Sequence, residues 1–85
     1  MSDEIKQLER MIEVVARMIP KERQALEIYR KTAASAPTEL TRILFERLAL
    51  QEEEHEAKLR AALKILQAEV REIRERPKKG REEKG

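Results

Sequence analysis

The chain has no cysteine and no tryptophan, and only two glycines, three prolines and two aromatic residues (Tyr29 and Phe45) in 85 positions. Without cysteine there is no disulfide, no thiolate-held zinc and no iron–sulfur cluster. So little glycine, proline and aromatic material leaves few turns and little stuff for a β-sheet. No apolar run approaches the about 20 residues that span a bilayer, and no leader pattern opens the chain. A cytoplasmic location is the default expectation. A strong single-sign charge is also missing. The net charge is +2, but residues 1–75 carry 14 basic and 15 acidic side chains, and the basic excess sits in residues 76–85. A folded part without a basic face argues against nucleic acid as the main partner.

What is present is charge and helix-forming residues. Asp, Glu, Lys and Arg make up 42 % of the chain, a composition of long helices. Apolar residues recur at alternating steps of three and four. The first half reads Ile5, Leu8, Ile12, Val15, Ile19, Glu22, Leu26, Tyr29, Ala33. The second reads Leu44, Leu48, Glu52, His55, Leu59, Leu63, Leu66, Val70, Ile73. Each set traces one face of an α-helix, and such a face is normally buried. Ser2, Asp3 and Glu4 suit a helix start. Pro37 stops the first pattern and Thr38 can cap the next. The spacing predicts helices over about residues 3–34 and 39–76, ended by Pro77 and Gly80. Residues 77–85 read as a disordered charged tail. Pro20 interrupts the first helix, which either kinks and continues in phase or breaks into two.

Three positions in these stripes are polar: Glu22, Glu52 and His55. An unpaired buried carboxylate costs several kcal/mol, against about 5–15 kcal/mol of total stability in a domain. No Lys or Arg shares either stripe, so a bound metal is the simplest compensating cation. Glu52 and His55 stand at i and i+3 and project from one helical face. A hairpin folded about residue 37 places Glu22 level with Glu52, and Tyr29 level with Phe45. One hairpin cannot bury its broad apolar stripe alone. Two packed about a twofold axis make a four-helix bundle. The expected architecture is therefore all-α: residues 1–76 form an antiparallel helical hairpin that dimerises. The dimer would gather four carboxylates and two imidazoles, the ligand set of di-iron and di-manganese carboxylate bundles, whose charge two divalent ions balance. Fe(II), Mn(II) and Zn(II) all suit these donors. Glu53, Glu54 and Glu56 read as a solvated acidic run beside the site. Tyr29, two turns from Glu22, reads either as a donor to a ligand carboxylate or as a core aromatic.

The stretch Glu22-Arg23-Gln24-Ala25-Leu26-Glu27-Ile28-Tyr29, followed by Leu44-Phe45-Glu46-Arg47-Leu48-Ala49-Leu50-Gln51-Glu52-Glu53-Glu54-His55, resembles one half of a rubrerythrin-type ferritin-like domain. It covers roughly residues 12–66. Members of that family carry two such halves in one chain, so this chain is also similar to the encapsulated ferritins, single hairpins whose ferroxidase centre forms between subunits. The resemblance implies a homodimer at least, in larger homo-oligomers or inside an encapsulin shell. It implies oxidation of Fe(II) by O2 or peroxide at two iron ions per dimer, with Glu52 bridging, Glu22 terminal or chelating, and His55 the neutral nitrogen ligand. The Cys-rich rubredoxin module of rubrerythrins is not in this sequence. Two other functions fit the residues: a rubrerythrin-like peroxidase fed by an external electron donor, and a metal-free helical oligomerisation module.

Overall fold

The computed structural model describes residues 3–77. Two long helices account for them: α1, Asp3–Ala34, and α2, Glu39–Glu75. They pack side by side as an antiparallel hairpin. The expected capping residue Ser2 and all but Pro77 of the expected tail lie outside the described residues. Among the described residues no helix is long and apolar enough to cross a membrane.

Pro20 sits inside an uninterrupted α1. Pro20 and Ala16, the residue whose carbonyl it cannot serve, are both exposed. Water can take the place of the lost hydrogen bond, so the helix continues in phase. The corner at residues 35–38 is set by local chemistry. Pro37 bars the helical conformation at Ala36, and α1 closes with Ser35 and Ala36 N–H groups donating to Thr32 and Ala33 carbonyls, both at 3.2 Å. Thr38 then caps α2. The Thr41 N–H donates to its hydroxyl at 3.2 Å, and its own N–H donates to the Thr41 hydroxyl at 3.3 Å. This reciprocal box satisfies two donors that the helix start would leave orphaned. Arg42 in the same turn bonds Glu46 and Glu39, whose carboxylates hold its guanidinium above its ordinary value. Replacing Thr38 with Ala is expected to cost about 0.5–2 kcal/mol, read as a lower melting temperature with unchanged helix content.

The seam between the helices is narrow. Among the described residues its buried apolar side chains are Ile5, Ile19, Leu26 and Ala33 of α1 with Ala49 and Val70 of α2, and Leu26 is the most buried at 1 % exposure. Tyr29 and Phe45 meet near the corner, with ring centroids 6.2 Å apart. Among the described residues eight large apolar side chains remain 36–76 % exposed: Met11, Val14, Met18, Ile28, Leu40, Leu44, Leu50 and Ile65. The stripe expected to be wholly buried is therefore only partly so. Leu44 is 51 % exposed because a single partner helix covers one side of the stripe and leaves the other open.

The two open faces of the hairpin differ. At about 100° per residue, Met11, Val14, Met18 and Ile28 fall on the side of α1 that carries Glu22. Leu40, Leu44 and Ile65 fall on the side of α2 that carries His55. Because the helices are antiparallel, these two sides form one face. Seven of the eight exposed apolar residues thus share it, and Leu50 lies behind. The ion pairs that cross the seam, Glu9–Arg74, Arg23–Glu56 and Arg30–Glu53, lie on the opposite face.

Candidate metal centre

Glu22 stands near the middle of α1, beside the seam residues Ile19 and Leu26. Glu52 and His55 stand on α2 just beyond Ala49. The hairpin brings the three together. One ligand atom from each lies within 4.8 Å of the others. His55 Nδ1 is 3.5 Å from Glu22 Oε1 and 3.9 Å from Glu52 Oε1. Donor atoms held about 2.0–2.2 Å from one ion stand at such separations or slightly less.

Burial sharpens the chemistry. The Glu22 and Glu52 side chains are 20 % and 17 % exposed, whereas that of His55 is 54 % exposed. Glu22 Oε1 and Glu52 Oε1 are fully buried and no donor satisfies either. Buried acceptors are rarely left so, and each costs about 1–3 kcal/mol. One outlet is a proton. Protonated Glu52 can donate to Glu22, and this hydrogen bond, helped by burial and by the Glu22 charge, raises Glu52 above the usual carboxylate range. The other outlet is a cation, which would satisfy both oxygens and accept the imidazole Nδ1 as well. The donors fit a divalent ion in kind and in spacing. The set is open on the face that carries the exposed apolar residues, where the imidazole sits.

Tyr29 lies at the level of Phe45, as the hairpin arithmetic expects, whereas Glu56 falls differently from expectation. Tyr29 is half-buried and packs its ring on Phe45. Glu56 leaves the acidic run: it is buried at 7 % exposure and bonded to Arg23 and Arg60. Reading residues 53–56 as one solvated run missed it, because the seam turns far enough round α2 to cover the position one turn after Glu52. The available signal was Arg60 four residues on, in register for an i, i+4 pair.

No curated protein and no solved structure matches the chain. The family model described as Rubrerythrin matches residues 13–84, which include Glu22, Glu52 and His55. With a two-helix hairpin that gathers two carboxylates and an imidazole, this chain belongs to the rubrerythrin family of the ferritin-like superfamily, whose domains typically bind iron.

Proposed function

We propose that two copies of the chain close face to face into a four-helix bundle and that Glu22, Glu52 and His55 of both form a di-iron ferroxidase centre. The observation that carries this is the pair of orphaned carboxylate oxygens on the apolar face. A buried donor set that one hairpin leaves open, ringed by apolar residues that it leaves uncovered, asks for a second wall.

The distribution of those residues supports a twofold axis through the site, perpendicular to the helices. On α1 they run from Met11, 11 residues before Glu22, to Ile28, six after it. On α2 they run from Leu40, 12 before Glu52, to Ile65, 13 after it. Such an axis inverts heights along the bundle. It brings Leu44 of one copy level with Val14 of the other, and Leu40 level with Met11 and Ile65. Met11, Val14, Leu40, Leu44 and Ile65 of each copy then find an apolar residue at their own level on the other, as a bundle core requires.

In this dimer the two glutamates and the imidazole of each copy bind and orient Fe(II), which is the substrate. Four carboxylates offset the charge of two divalent ions, so the cation can be held in a site that excludes water. Two Fe(II) ions give up one electron each. O2 takes both with two protons and leaves as hydrogen peroxide; peroxide taking two electrons and two protons leaves as two waters. Glu52 would be the bridging carboxylate and Glu22 the terminal or chelating one, and Tyr29 lies two turns away toward the corner. Iron storage or detoxification follows as the role, in the cytoplasm or within an encapsulin compartment, and storage needs an assembly larger than a dimer. The same donors would accept Mn(II) or Zn(II).

Anaerobic titration of the metal-free protein with Fe(II), followed by air, tests this. Saturation near about one iron per chain and a rapid rise of ferric absorbance are expected. A folded dimer that holds no iron above background would sink the proposal and leave a helical interaction module. Iron that oxidises only with peroxide and an added electron donor would favour the peroxidase.

A further inference from the structure

Glu56 has no part in the metal centre, yet it is the buried charged side chain among the described residues. Arg60 of its own helix donates to its Oε2 from Nε at 2.9 Å, and Arg60 Nη2 pairs with the same oxygen at 2.8 Å. Arg23 donates from Nη1 across the seam at 3.3 Å. The two guanidiniums, Arg60 foremost, hold its carboxyl below the usual range although burial pushes the other way. The sequence positions give the arrangement its interest. Arg23 directly follows Glu22, and Glu56 lies one helical turn beyond Glu52. One ion pair therefore ties the turn carrying the first ligand to the turn carrying the second, from the face opposite the donors.

The other two cross-seam pairs differ. Arg30–Glu53 and Arg74–Glu9 are about half exposed at both partners. Exposed pairs contribute little and impose little geometry. A carboxylate sealed in a seam is another matter, because sliding the helices would strand it without partners at high cost. Apolar side chains such as Ile19 and Leu26 tolerate small axial shifts, whereas buried polar pairs are the better attested means of fixing helix register. A device of that kind is needed here. Without a metal, Glu22 and Glu52 present unsatisfied oxygens to each other, and repulsion between them favours a shift or a splay of the helices at that level.

We propose that Arg23, Glu56 and Arg60 form a positioning device that fixes the axial register of α1 against α2, so that Glu22, Glu52 and His55 are held together before metal arrives. Glu56 touches no metal and acts through the backbone of the two turns it joins. Its effect on metal binding rests on the proposed centre; its effect on register does not.

The test combines Co(II) binding with metal-free NMR on Glu56→Gln, Arg23→Gln, Arg23→Lys and, as a control, Arg30→Gln. Glu56→Gln and Arg23→Gln are expected to weaken Co(II) at least about tenfold, the scale seen when supporting partners of metal ligands are lost. They are also expected to change the visible Co(II) spectrum at saturation, which loss of stability alone would not do. Arg23→Lys restores both, and Arg30→Gln leaves both as in the parent. Without metal, cross-helix NOEs between the turns of Glu22 and Glu52 shift or vanish in Glu56→Gln, while those near Val70 persist. Parent-like NOEs and parent-like Co(II) affinity in Glu56→Gln would overturn the proposal. If that variant does not fold, Arg23→Gln decides, since it removes an exposed side chain and leaves Glu56 its bonds to Arg60. A parent that binds no Co(II), with NOEs that still move in the variants, removes the metal centre and keeps the device. A parent that binds, with variants that match it throughout, does the reverse.

Discussion

Replacing Glu52 with leucine is expected to abolish iron binding and, at neutral pH, to raise the melting temperature of the metal-free protein. Glu52 is costly without a metal. Its Oε1 is buried without a donor, as is Glu22 Oε1 facing it. Leucine removes one orphan outright and the like charge from beside the other, and His55 Nδ1 remains 3.5 Å from Glu22. Removal of one such orphan returns about 1–3 kcal/mol, and each kcal/mol shifts melting by about 4–8 °C in a domain of this size. The gain should depend on pH, with a sign that can be worked out. Glu22 raises Glu52 above the usual carboxylate range in the folded state, so the folded protein holds that proton more tightly than the unfolded chain. The stability this contributes is full below the unfolded carboxylate value of about 4.3 and is lost as pH rises through the raised folded value. The parent is therefore at its relative worst at neutral pH, and the advantage of Glu52→Leu should shrink toward pH 4. Glu56, held low by Arg60 and Arg23, works in the opposite sense: its contribution is lost as pH falls through its depressed value. It is present in both proteins and cancels in the difference. Thermal melts of parent and variant with chelator, from pH 4 to 8, measure this. A variant that melts below the parent at every pH, or one that still takes up iron, would count against a metal-compensated carboxylate at this position.

The helices were legible because their signals are local. Steps of three and four mark the stripes, Pro37 bars α1 from continuing, and Thr38 with Thr41 builds a cap from residues three apart. The meeting of Glu22 and Glu52 followed from folding arms of similar length about residue 37. Less was legible where a residue's state depends on how far the seam wraps round each helix. Periodicity assigns Leu44 and His55 to the buried stripe, but one hairpin supplies only one wall, and both are about half exposed. Composition assigns Glu56 to a solvated run, but the seam covers it and long arginines from two helices reach round to satisfy it. Stripes specify direction along a helix well and angular width poorly, and width separates a core position from an open face.

That open face supplies the second large effect. Leu44→Glu is expected to leave the hairpin helical while separating the dimer and removing tight iron binding, although all three ligands remain. Leu44 is 51 % exposed in the hairpin, so a glutamate there meets water in the single chain and costs it little. In the proposed face-to-face dimer the same position is level with Val14 of the second copy. Burying an unpaired charge against that apolar patch costs several kcal/mol, and 1.4 kcal/mol is already tenfold in association. A substitution of equal chemistry behind the hairpin separates the face from the residue type. Leu50, 58 % exposed beside Ala34 and Glu53 on the other side, tolerates Leu50→Glu with dimer and iron stoichiometry retained. Sedimentation equilibrium of both variants with and without Fe(II), alongside iron uptake, makes the comparison. If Leu44→Glu remains dimeric and fills with iron as the parent does, the copies do not meet across the Glu22, Glu52 and His55 face. If it becomes monomeric yet binds iron as tightly as the parent, one hairpin completes the shell alone and the shared centre is wrong. Loss of both together, with Leu50→Glu unaffected, is the outcome that a site divided between two copies requires.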